Sequence, residues 1–207
     1  GNGGAVNSVG NIEVSDSTFS QNHLDNGNGG ALNSDSNITV SLSVIDSNYL
    51  TNSGNGGAIN SGSNVSISDS EITNNVIVNT GNGGAVNAIG NIGLIGISAV
   101  GNQIISSGDG GAFYAQGYIL VTGSNIESNS IHTGNGGAVY SNGNLTTVET
   151  TFSGNSTDVG NGGAVRVLGV ANLSGSTFEN NVTYGGSGGA IYSTNTTDIV
   201  DSTFTAN

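Results

Sequence analysis

The chain has 207 residues, 37 of them Gly and none Pro, Cys, Met or Trp, with one basic residue (Arg166) and a formal net charge of −13. A single cation cannot neutralise a phosphate backbone, so nucleic acid is excluded as a partner and an anionic membrane surface is disfavoured. Only 7% of residues are charged while 34% are apolar, unlike a disordered acidic tail. No apolar run approaches the roughly 20 residues that cross a bilayer, so no direct membrane insertion is expected.

Self-similarity dominates the chain. The word Gly-x-Gly-Gly-Ala-apolar begins at Gly1, Gly27, Gly54, Gly81, Gly108, Gly134, Gly160 and Gly186, at spacings of 26 or 27 residues. The glycines of this word suit positive φ and a tight turn against the coil below. The invariant Ala suits a position too close for a larger side chain. Column six is apolar throughout (Val6, Leu32, Ile59, Val86, Phe113, Val139, Val165, Ile191). Column seven reads Asn7, Asn33, Asn60, Asn87, then Tyr114, Tyr140, Arg166 and Tyr192. Alternation along a strand points column seven outward, so these side chains are expected to form one exposed stripe. Tyrosine is amphipathic and suited to stack on a sugar ring or pack another rod, which makes Tyr114, Tyr140, Arg166 and Tyr192 the candidate binding surface. Plain β-propensity on an open sheet explains the same residues.

Columns twelve and fourteen alternate as a strand does, as in Ile12/Val14, Ile38/Val40, Val65/Ile67, Ile92/Leu94 and Ile119/Val121. Column nineteen is again apolar, from Phe19 and Ile45 to Phe178 and Phe204. Three residues later stands an Asn in all eight copies: Asn22, Asn48, Asn75, Asn102, Asn129, Asn155, Asn181 and Asn207. Side-chain amides stacked one coil apart can donate to one another and to a turn carbonyl, so a structural asparagine ladder is expected here. All length variation falls after this Asn, where Leu24, Leu50, Ile77, Ile104 and Ile131 add one more apolar position. Fixed spacing through 22 columns means the coils are in register, because loops tolerate insertion and stacked strands do not.

These features predict a single all-β domain over 1–207, a right-handed parallel β-helix of eight coils with about three short strands in each. Strand spacing of about 4.8 Å makes it a rod roughly 38 Å long. An open rod end exposes unpaired backbone and apolar side chains. Flanking repeats of a longer chain, or copies stacked head to tail, are therefore expected to cover both ends.

The pairing of Gly3-Gly4-Ala5-Val6 with Phe19-Ser20-Gln21-Asn22, and of Gly162-Gly163-Ala164-Val165 with Phe178-Glu179-Asn180-Asn181, resembles the repeat of chlamydial polymorphic outer-membrane proteins. The same words recur in adhesin-like surface proteins of bacteria and methanogenic archaea. Column nineteen departs from Phe as Ile in three coils and as Ala99 in a fourth. The resemblance implies a secreted, surface-displayed β-helix used in adhesion, and it implies no active site.

Some β-helices are polysaccharide lyases or hydrolases, and hydrolysis needs two convergent carboxylates. Asp16, Asp69, Glu149 and Asp201 share column sixteen, but Asp16 and Asp69 are two coils apart, as are Glu149 and Asp201. His23 and His132 lie four coils apart, too far to share a metal. Neither a metal nor another cofactor is expected. The expected partners are other copies or flanking repeats, and host-surface or cell-wall glycans. Of seven Asn-x-Ser/Thr sequons, Asn37, Asn64 and Asn144 share a turn column and are the expected sugar acceptors on a glycosylating export route. Asn155 and Asn181 belong to the ladder and are expected to stay bare.

Overall fold

Apolar residues two apart, punctuated by Gly and Asn turns, give short strands whose inner faces meet one another. The structure, a computed structural model describing residues 1–207, builds every coil this way. The first sheet stacks eight three-residue strands, from Val6–Ser8 through Leu32–Ser34 to Ile191–Ser193. The second stacks eight four-residue strands, Ile12–Ser15 to Thr197–Val200, and the third another eight, Thr18–Ser20 to Thr203–Thr205. All pairings are parallel and join each residue to its counterpart one coil on, as in Val6 to Leu32 and Ile12 to Ile38. The chain is a parallel β-solenoid without a helix.

A fourth sheet corrects the expectation of about three strands per coil. Seven strands, from His23–Leu24 to Val182–Thr183, pair in the stretch after the Asn. Most are only two to four residues long, and the pairing shifts register between Ile104 and Ser107, where coil lengths change. The turns stack as faithfully as the strands. Of 143 backbone hydrogen bonds, 83 lie outside regular strand pairing, and they run between coils, as from Gly3 N to Asn28 O at 2.9 Å.

Columns six, twelve, fourteen and nineteen fill one continuous core, in which Leu32, Ile38, Val40 and Ile45 have no exposed surface. Phe152, Phe178 and Phe204 stack with centroids 4.7 and 4.8 Å apart and planes within 4°. Leu50, Ile77, Ile104 and Ile131 form a second, smaller cluster beneath the fourth sheet. It turns polar at Thr157 and Thr183, whose hydroxyls donate to Gly134 O (2.7 Å) and Gly160 O (2.6 Å).

Only the third-column glycine of the repeated word has positive φ in every coil, between 64° and 75°. The fourth-column glycine is needed for space instead: a Cβ on Gly57 would lie 1.9 Å from the carbonyl oxygen of Gly84. The following Ala is fully buried from Ala31 to Ala164.

Candidate functional site

Two columns of side chains run the length of the rod, and they differ in what they hold. The inner one is the asparagine ladder. From Asn48 to Asn181 these residues have no exposed surface. Each Nδ2 donates to the Oδ1 one coil on, at 2.8 Å from Asn22 to Asn48 and 2.9 Å from Asn102 to Asn129. The same Oδ1 also accepts the backbone N–H of the preceding Asn, as Asn102 does from Asn75 at 3.1 Å. The second Nδ2 proton goes to the carbonyl of column nineteen one coil back, as from Asn102 to Ile72 at 2.8 Å. Asn207 closes the series by accepting from Asn181 and donating to Phe178. No buried side-chain nitrogen or oxygen is left without a partner.

The outer column is that of the first sheet. Its first half is a simpler ladder, in which Asn33 donates to Asn7, Asn60 to Asn33 and Asn87 to Asn60, each at 2.8 Å. The donors point toward the start of the chain, opposite to the inner ladder. The column is less open than the sequence implies, because Asn33 and Asn87 are only 3% exposed. Tyr114, Tyr140, Arg166 and Tyr192 are half-buried rather than exposed.

In-register pairing places Tyr114 beside Tyr140, Tyr140 beside Arg166, and Arg166 beside Tyr192. The Tyr114 and Tyr140 rings stack at 5.3 Å and 15°, and the Arg166 guanidinium carbon sits 4.4 Å from the Tyr192 ring centre, a cation–π geometry. Asn142 Nδ2 donates to the Tyr114 hydroxyl at 3.2 Å. Arg166 makes one long bond, to Val167 O at 3.4 Å, and has no carboxylate within 4.0 Å. Burial pushes the Tyr140 phenol above its usual range, with the Asp109 charge adding to the shift and Arg166 opposing it. Burial also pushes the Asp109 carboxyl up, against the pull of Asn135 and of Arg166. Asp109 is turned to Asn135, accepting from its backbone N–H at 2.8 Å and its Nδ2 at 3.0 Å.

The acidic column has a conformational explanation that the sequence reading missed. Asp16, Leu42, Asp69, Glu149 and Asp201 all adopt φ of 46–48°, and Gly96, Gly123 and Gly175 occupy the same place in the other coils. Asp and Gly recur there because both tolerate the left-handed region. Asp16 and Asp69 border a shallow depression with Leu42 and Glu71. The histidines stay apart: His132 Nδ1 lies 2.7 Å from Asp158 Oδ2, and His23 Nε2 lies 2.5 Å from Thr51 Oγ1. No group of three or more His, Asp or Glu converges on one point. Among the sequons, Asn37, Asn64 and Asn144 are exposed, whereas Asn155 and Asn181 have no exposed surface.

The fold and its repeated words define a class before any comparison: a β-solenoid whose coils are closed by Gly-Gly-Ala and anchored by Asn. Residues 175–194 match the Chlamydia polymorphic membrane protein repeat. The matched segment runs from Phe178-x-x-Asn181 of the seventh coil into Gly188-Gly189-Ala190-Ile191 of the eighth. The same two words recur through the stack. Neither characterised proteins nor solved structures give a match to the chain.

Proposed function

We propose that this chain is a structural and adhesive segment of a protein displayed at a cell exterior. The observation that carries the reading is the matched repeat at 175–194, which names a membrane-protein family and covers both repeated words. Its setting supports it: in-register coils make a stiff rod that holds surface side chains at fixed intervals. The reading contains no catalytic step. The outward column of the first sheet is its contact surface.

Two accessory proposals follow. A second copy of the chain packs against the eighth coil, where Ala190, Ile191, Ile199 and Phe204 line a surface depression together with Ser193, Asn195 and Thr197. Sedimentation across a concentration series tests association between copies. On a glycosylating export route, Asn37, Asn64 and Asn144 carry sugar while Asn155 and Asn181 do not. Glycopeptide mass spectrometry reads this directly, and sugar on Asn155 would contradict it.

Display is tested by labelling intact source cells with an antibody raised against the folded chain. Labelling before lysis, and adherence of chain-coated beads to host cells or cell-wall material, is the expected result. Labelling only after lysis would remove the exterior from the reading.

A further inference from the structure

Arg166 is the only Lys or Arg in a chain that carries 14 acidic residues. Such a cation would ordinarily be claimed by a carboxylate, yet none lies within 4.0 Å of it. Its one hydrogen bond, to Val167 O at 3.4 Å, leaves most of the guanidinium's five N–H donors free. The guanidinium lies over the Tyr192 ring, and strand pairing puts Tyr140 at the same column one coil back. The nearby Asp109 carboxylate is occupied by Asn135. The molecule thus keeps one guanidinium without a carboxylate partner, over the half-buried Tyr192 ring and one coil from the half-buried Tyr140.

We infer that Tyr140, Arg166 and Tyr192 form a binding site for a carboxylate-bearing sugar on an otherwise neutral glycan. The inference rests on reading the outward column as the rod's contact surface, and it names the ligand for that surface. A guanidinium meets a carboxylate through two parallel N–H bonds, a geometry that a hydroxyl does not reproduce. Because the Tyr114 and Tyr140 faces lie against each other and Arg166 covers a face of Tyr192, the phenols meet a pyranose with their edges and hydroxyls. Tyr114, stacked on Tyr140, extends this row of ring edges by one coil for a neighbouring sugar. The net charge decides how acidic the ligand is. A surface at −13 repels a polyanion, and one cation cannot offset a charge on every sugar. A single acidic residue within or at the end of a neutral chain satisfies both constraints.

The test uses two disaccharides that differ in one group: β-glucuronosyl-(1→4)-glucose and cellobiose, in which CH2OH replaces the carboxylate. Ligand-observed NMR and titration are run on the whole chain, with Arg166→Gln, Arg166→Lys and the double variant Tyr140→Ala/Tyr192→Ala. The acid is expected to bind at least tenfold more tightly than cellobiose. Arg166→Gln should abolish that preference, Arg166→Lys should keep part of it, and the double tyrosine variant should weaken both sugars. Melting curves report whether each variant keeps the stack. Equal binding of the two sugars, or binding of neither, overturns the proposal. So does self-association lost in Arg166→Gln, which would assign the guanidinium to a carboxylate of a second copy. If coated beads still adhere while neither sugar binds, the adhesive reading stands and this site falls.

Discussion

Both amide columns repeat one residue at one coil spacing, yet one persists through eight coils and the other stops after four. The inner amides are built into the backbone: all but Asn22 accept a main-chain N–H and donate to a main-chain carbonyl. The outer amides of Asn7, Asn33, Asn60 and Asn87 bond only to each other. Removing an inner amide strands main-chain groups inside the protein, whereas removing an outer one loosens a pair of side chains. That difference explains why column seven was free to become Tyr, Tyr, Arg, Tyr. Repetition marks structural need only when the repeated group satisfies the main chain.

The largest expected effect breaks the inner ladder. Asn102→Ala deletes four side-chain hydrogen bonds, two from Asn75, one to Ile72 O and one to Asn129. At roughly 1 kcal/mol each the loss is about 4 kcal/mol. Asn60→Ala deletes two bonds, to Asn33 and from Asn87, and should cost about 2 kcal/mol on the same scale. Denaturant unfolding of both variants measures the ratio. Equal losses would show that the main-chain bonds add nothing to the inner ladder.

A third variant tests a column fixed by backbone shape rather than by bonding. Leu42 has φ of 48° and is 65% exposed, so it bears left-handed strain without burying much surface in return. Leu42→Gly relieves that strain against the entropy Gly adds to the unfolded chain, for a net gain of about 0.5–1 kcal/mol. A higher unfolding midpoint is the expected reading, and a lower one would show that the contacts of Leu42 outweigh its strain.

The contrast also explains what was legible in the sequence. The inner ladder was readable because its chemistry admits one residue type, and its fixed spacing gave the register of three sheets. The fourth sheet was half-visible in Leu24, Leu50, Ile77, Ile104 and Ile131, but its two-residue strands sit where coil lengths vary, which reads as loop. The column-sixteen carboxylates were rightly set aside as a catalytic pair, but what fixes the column went unseen: a left-handed turn that Asp, Gly, Glu and even Leu adopt. Its three glycines were the available signal. The serines one residue later were missed too. Ser43 Oγ donates to Ser41 O at 2.6 Å and accepts the Ser17 N–H at 3.1 Å, and in a Ser-rich chain such a column does not stand out. The Tyr and Arg residues were visible as a stripe, but Arg166's lack of a carboxylate partner is a fact of three dimensions.

The smallest expected effect comes from a natural substitution in a third column, which lies between the two extremes. Asn2, Asn28, Asn55 and Asn82 each accept the backbone N–H one coil on, and Asp109 takes the same place in the fifth coil. Its oxygen accepts from Asn135 as an amide oxygen would, so the geometry does not need the charge. Burial raises the Asp109 pKa despite the opposing Asn135 bonds and Arg166 charge. A carboxyl whose folded pKa is raised binds its proton more tightly in the folded state. Its ionisation therefore costs stability as pH rises through the folded pKa, and costs nothing below the unfolded value near 3.8. Asp109→Asn should accordingly melt higher than the natural chain at neutral pH, with the gap closing as pH falls below that value. A gap that stays constant with pH would assign the gain to the amide's extra donor, within reach of Asn82, rather than to the removed charge.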